Sequence, residues 1–151
     1  LALRAAGHGL RVGIVQFIKG WPGYGELRGV DWLPTVAIQA FGREGWVHPD
    51  RAEQEDYERA GTALAHAGQV IIDGSVDIVV LDEINVALDY GLLELESVLD
   101  LLDDRPPGVE LILTGRDAHP DIISRADLVT EMHKVKHTYE QGVSGRLGIE
   151  F

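Results

Sequence analysis

Cysteine is absent from this 151-residue chain. Its absence excludes a disulfide framework, a thiolate metal site and a cysteine nucleophile, and it fits a reducing cytoplasm, the expected compartment. Long apolar runs are missing too. None approaches the ~20 residues of a membrane-spanning helix and no secretory leader is recognisable, so the expectation is a soluble protein with no membrane partner. Positive charge is scarce, with 13 Lys and Arg against 25 Asp and Glu and a formal net charge of −12. A surface of that sign does not hold nucleic acid by neutralising phosphates. Any anionic ligand must meet local positive charge, a helix N-terminus or a bound metal.

What is present suffices for one ordinary domain, 1–151, long enough to bury roughly 70% of the surface its unfolded form exposes. The opening residues, LALRAAGHG, already carry a helical pattern, yet no Ser, Thr, Asp or Asn caps them. The chain is therefore expected to start inside an element and to be N-terminally incomplete. Gly7 and Gly9 end that helix, and RVGIVQFI reads as a first strand running out at Lys19 and Gly20. GWPGYGELRGVDWLP reads as a long loop of the kind that often holds ligands, and TVAIQAF as a second strand. From Pro49 to Ile72 the spacing of Tyr57, Ala60, Leu64, Ala67 and Ile71 predicts a helix. VDIVVLDE is a third strand, LLELESVLDLLDD a helix, VELILTGR a fourth strand, PDIISRA a short helix and DLVTEM a fifth strand. Short apolar strands alternating with helices predict an α/β fold, an open and mostly parallel sheet with helices on both faces. The tail from Val135 is less regular. No repeat or interdomain linker is evident.

In such sheets ligands gather where the strands end. The residues just past each strand are Lys19, then Gly42-Arg43, then Asp82-Glu83, then Thr114-Gly115-Arg116. Two carboxylates and neighbouring cations on one rim suit a metal-bound polyphosphate, with Mg²⁺ ordered by the acidic pair and cations meeting phosphate oxygens. A plainer reading also stands, in which Asp82 only caps the next helix. The usual companion of such a site, a G-x-x-x-x-G-K-[ST] loop, occurs nowhere between Leu1 and Phe151.

RAAGHGLRVGIVQFIKG, DIVVLDEINVALDYGLL, ILTGRDAHPDIISRADLVTEM and VKHTYEQGVSGRLGIEF together resemble, in order and spacing, the corrinoid (cob(I)alamin) ATP adenosyltransferases of the P-loop type. The resemblance spans nearly the whole chain and implies a P-loop NTPase or RecA-like fold. It further implies transfer of the 5′-deoxyadenosyl group of ATP to the Co(I) of a reduced corrinoid, with release of triphosphate and with Mg²⁺ as cofactor. Cob(I)alamin is itself a strong nucleophile, which accounts for the lack of a Ser/His/Asp or Cys/His arrangement. A homodimer and a flavodoxin-like reductase as electron donor are implied as partners. In that family the first helix follows directly on a phosphate-binding loop, which these residues do not include.

By position in the resemblance, Glu83 matches the acidic residue near Mg²⁺ and ATP, with Asp82 beside it, and Arg116 matches a triphosphate contact. Arg4 matches an arginine of the first helix, and Lys19 joins it as a ligand-binding cation. The corrinoid side departs from the family pattern. Where enteric members carry G-F-x-W, this chain has GREGWVHPD, placing Trp46 at the first aromatic position and His48 at the second. Trp46 preserves an apolar wedge against the corrin. His48 either offers a nitrogen to cobalt or simply starts the next helix ahead of Pro49, the second being the expectation. His8 is expected to be helix-end geometry, and His133 with His137 a solvated rim rather than a zinc pair. Trp21, Tyr24 and Trp32 line either the corrinoid cleft or a dimer contact. The alternative to an enzyme is a module of the same fold that binds nucleotide or adenosylcorrinoid without chemistry, and a third reading is an ATPase with Glu83 orienting water.

Overall fold

The computed structural model describes residues 1–45 and 47–149. Its centre is a four-stranded parallel sheet in the order β2-β1-β3-β4, built from β1 (Val12–Gln16), β2 (Val36–Ala40), β3 (Ile78–Asp82) and β4 (Glu110–Leu113). The registers Gln16↔Ala40, Gln16↔Asp82 and Leu81↔Leu113 align all four carboxyl ends. One rim therefore receives every residue that follows a strand.

Both sheet faces are apolar because both are covered, as parallel strands require. Alternation along β1 sends Val15 into one core and Val12 into the other; Val79 and Ile78 divide the same way along β3. The larger core is roofed by α3 (Gln54–Ile72), α4 (Ile84–Asp89), α5 (Leu95–Asp103) and α6 (Pro120–Arg125), which contribute Ala60, Ala63, Ala67, Ile71, Ile84, Val98 and Ile122. The smaller core lies under α1 (Ala2–Ala6) and a 3₁₀ turn at Val30–Trp32, with Ala5, Val30 and Leu33 packed on Val12, Val36 and Ile78. Each fully buried Val or Ile of these layers stabilises by roughly 1.5–3 kcal/mol. No helix among the described residues is long and apolar enough to cross a membrane.

Three expectations need correction. The helix predicted from Pro49 is broken: Pro49–Arg51 forms one 3₁₀ turn, Ala52 is extended at ψ 130, and α3 begins at Gln54. The cause is a new N-terminus, where the Asp56 carboxylate accepts the Glu53 backbone N–H at 2.9 Å. The buried stripe is consequently Asp56, Ala60, Ala63, Ala67 and Ile71, while Tyr57 is turned outward. Second, residues 127–132 form no strand. Leu128 and Met132 are 85% and 92% exposed, and the segment pairs with neither edge of the sheet; a strand without a neighbour has no ladder to satisfy its backbone. Third, the long loop contains a short helix, α2 (Gly25–Gly29), and α4 follows β3 directly.

Candidate functional site

The site grows out of the exit of β3. Asp82 is the last residue of that strand, and both its carboxylate oxygens are engaged. Oδ2 accepts from Lys19 Nζ at 2.9 Å and from Gln16 Nε2 at 3.3 Å, while Oδ1 accepts from the Thr114 hydroxyl at 2.8 Å. Residues from β1, β3 and the end of β4 thus converge on one group.

Glu83 behaves differently from its neighbour. Its backbone is left-handed, φ 63 and ψ 20, which costs a non-glycine residue roughly 1–2 kcal/mol. That conformation turns the chain at once from β3 into α4, and the Glu83 backbone N–H is held by the Thr114 hydroxyl at 3.0 Å. The Glu83 side chain accepts no hydrogen bond among the described residues, and its ion-pair partner is Lys19, whose Nζ lies 3.8 Å from Oε1. Glu83, not Asp82, occupies the N-cap position of α4, and it caps nothing with its side chain. The plain capping role considered for Asp82 is therefore not what the geometry displays.

Lys19 is placed by backbone crowding. A Cβ at Gly20 would stand 2.0 Å from the Gly42 carbonyl oxygen, and one at Gly42 would stand 2.4 Å from the Ile18 carbonyl carbon. Only paired glycines let the loops after β1 and β2 cross so closely, and the Gly42 N–H then donates to the Lys19 carbonyl at 3.2 Å. Burial works against the Lys19 ammonium charge. The hydrogen bond to Asp82 and the charges of Asp82, Glu83 and Glu26 outweigh it, and the pKa is raised above the ordinary lysine value. A similar crowding fixes the end of β4. Gly115 has φ +127, and a Cβ there would lie 3.0 Å from Asn85 Cβ and from the Val86 nitrogen.

Two participants escape a reading of the chain as sequence. Gln16, only 2% exposed, bridges Asp82 and Glu26, whose Oε1 lies 3.4 Å from its Nε2. The sole signal is a polar residue closing an otherwise apolar strand. Glu26 arrives from α2, inside a stretch that reads as irregular loop. Thr114, placed on the rim by sequence without a role, turns out to tie Asp82 to Glu83. Asn85 is also buried, and both its Oδ1 and Gln16 Oε1 lack a hydrogen-bond partner among the described residues.

The remaining candidates divide. Arg43 does not face the rim as a free cation: its Nε lies 2.8 Å from Asp56 Oδ1, an ion pair not aligned as a hydrogen bond, and its guanidinium is also 3.5 Å from Glu53. Arg59 secures the same segment by donating to the carbonyls of Phe41 and Gly42 at 3.2 and 3.3 Å. Arg116 and Arg4 are exposed and make no hydrogen bond or ion pair among the described residues. His48 is exposed, precedes Pro49 at the start of the 3₁₀ turn, and lies 3.9 Å from Asp50. Trp46 lies outside the described residues. Trp21 and Tyr24 meet edge to face at 5.4 Å, while Trp32 is 87% exposed. Among the described residues no three His, Cys, Asp or Glu side chains are grouped to hold a metal ion by themselves. A groove of about 340 Å³ runs between α3 and α5, lined by Gly61, Leu64, Gly68, Leu101 and Asp104, none of them at a strand end.

Comparison with known proteins agrees in one direction. Residues 1–151 match the family model described as ATP:corrinoid adenosyltransferase BtuR/CobO/CobP. The chain is 40% identical to a corrinoid adenosyltransferase of Pseudomonas aeruginosa, over 100% of this chain and 74% of that protein. It is 38% identical to one of Escherichia coli, over 99% and 76%, and 36% identical to one of a Sinorhizobium species, over 100% and 72%.

Proposed function

We infer the function from one premise, that the chain belongs to the ATP:corrinoid adenosyltransferase family: it is an enzyme that transfers the 5′-deoxyadenosyl group of ATP to the cobalt of a reduced corrinoid. The observation that carries this reading to particular residues is the cluster at the exit of β3. There a cation, Lys19, and Glu83, a carboxylate that accepts no hydrogen bond among the described residues, stand 3.8 Å apart on the rim where a parallel sheet takes its ligand.

Because a reduced corrinoid is itself the nucleophile, the protein's task is to align two substrates, neutralise the leaving triphosphate and keep water away. Lys19 meets phosphate oxygens from the loop after β1, and Arg116 meets them from the loop after β4. Mg²⁺ suits the donors present. It is commonly bound by one or two carboxylates together with phosphates and water rather than by an all-protein cage, and Glu83 offers two oxygens that accept no hydrogen bond among the described residues. When bound, the metal supplies positive charge to the triphosphate. Asp82 is the second carboxylate of the pair, held in place by Lys19, Gln16 and Thr114. On the corrinoid side, Trp46 is the apolar wedge and His48 begins the turn that leads to α3. Arg4, on α1, completes the cationic set. Residues 1–151 act as one domain of a cytoplasmic homodimer supplied with electrons by a flavodoxin-like reductase.

The decisive experiment is an anaerobic incubation of the natural-length protein with chemically reduced cobalamin, Mg²⁺ and ATP. The expected result is a light-sensitive adenosylcorrinoid and one triphosphate per turnover. ADP and phosphate instead would replace the transferase by a hydrolase. Binding of ATP and corrinoid without product would leave a carrier.

A further inference from the structure

Lys19 sits against both carboxylates of the acidic pair. Its ammonium is 2.9 Å from Asp82 Oδ2 and 3.8 Å from Glu83 Oε1, so it neutralises both members of the acidic pair. A Mg²⁺ ion coordinates carboxylate oxygen at about 2.0–2.1 Å, and an ammonium a few ångströms away would repel it in a partly desolvated site. We propose that Lys19 is a tethered counter-ion that withholds the Asp82–Glu83 pair from free divalent cations and yields it when a polyphosphate gives the ammonium a new partner. The inference rests on the nucleotide and metal roles proposed above and adds the order in which they operate.

The surroundings permit the side chain to move and little else. The Lys19 carbonyl is held by the Gly42 N–H, and the backbones at Gly20 and Gly42 cross too closely for a Cβ on either. The Lys19 side chain is 31% exposed, so a path to the rim is open. Asp82 does not depend on it for placement. Gln16 of β1 holds Oδ2 and Thr114, just past β4, holds Oδ1, and the carboxylate stays aimed when the ammonium leaves. Gln16 is itself fixed by burial and by Glu26, which adds a third negative charge to the surroundings of the ammonium. This makes Gln16 a positioning residue acting through Asp82. Metal and polyphosphate then bind cooperatively, since each removes an obstacle to the other.

The test is equilibrium binding of Mn²⁺ alone, read by the electron paramagnetic resonance of the free ion, using the natural-length protein. Lys19→Met is expected to bind Mn²⁺ at least tenfold more tightly than the unaltered protein. Lys19→Arg, which retains the charge, is expected to remain weak, and Lys19→Met with Glu83→Gln is expected to lose the gain. Equal Mn²⁺ affinity with and without Lys19→Met would overturn the proposal, as would a gain that survives Glu83→Gln. Adding ATP separates this inference from the reading beneath it. If the unaltered protein retains Mn²⁺ with ATP but Lys19→Met changes nothing for Mn²⁺ alone, only the counter-ion role fails. If the unaltered protein does not bind ATP with Mn²⁺, the nucleotide reading fails and takes the inference with it.

Discussion

Asp56 offers a stringent test of how the rim is held, because it anchors the segment after β2 from below. Its side chain is 1% exposed, one oxygen faces the Arg43 guanidinium at 2.8 Å, and the other accepts the Glu53 N–H at 2.9 Å. Breaking a fully buried pair by removing one partner costs about 3–5 kcal/mol. Arg43 is 26% exposed and keeps Glu53 at 3.5 Å, so the lower end, about 3 kcal/mol, applies to Asp56→Ala. Loss of the helix-cap acceptor adds about 1 kcal/mol. At roughly 2–4 °C per kcal/mol for a chain of this size, the melting temperature should fall by about 8–16 °C. Asp56→Asn retains a cap acceptor and should lose about 1 kcal/mol less. The assay is reversible thermal unfolding of the single variants, of Arg43→Met and of the double variant Arg43→Met with Asp56→Asn. If the pair is coupled as the distances indicate, the double variant costs at least about 1 kcal/mol less than the two singles added. Additive costs, or an Asp56→Ala shift under about 2 °C, would refute the reasoning and return Arg43 to the rim.

Other consequences follow from the same geometry. Glu83→Gln should lower the adenosylation rate at least tenfold with little change in melting temperature, since among the described residues no group donates a hydrogen bond to that carboxylate; an unchanged rate would remove Glu83 from the metal's neighbourhood. Gly20→Ala should destabilise by about 3 kcal/mol or more through backbone collision with Gly42, and a Gly20→Ala variant as stable as the unaltered protein would show that the loops do not cross as described. The raised pKa of Lys19 means that its contribution is whole below the unfolded value of about 10.4 and is lost as pH rises through the still higher folded value. The stability difference between the unaltered protein and Lys19→Met should therefore be level from pH 7 to 9 and shrink in stronger alkali; a difference that grows there would contradict the assignment. Trp46→Ala should slow adenosylation of Co(II) corrinoid under reducing conditions more than that of preformed Co(I), whereas equal slowing would count against a wedge.

How much of this was legible beforehand depends on whether a feature is local. Val12–Gln16 and Ile78–Asp82 are apolar runs bounded by polar residues, so the strands, their parallel arrangement and the rim position of Lys19, Asp82 and Glu83 could be read from the chain. Gln16 and Glu26 could not, because Gln16 acts through contact with Asp82, 66 residues away, and Glu26 through contact with Gln16. Arg43 was misleading for a related reason. Starting the helix at Pro49 leaves Asp56 an ordinary member of a wet first stretch, whereas starting it at Gln54 makes Asp56 the third helical residue, whose carboxylate reaches back to the Glu53 N-cap, and rotates it beneath Arg43. The segment 127–132 shows the limit most plainly. Its composition supplies side chains able to pack on a sheet, but a strand is a property of a pair of backbones. Periodicity reports which face of an element would be buried; only the neighbour decides whether the element exists, and the same dependence on a neighbour turns an inconspicuous glutamine into part of the site.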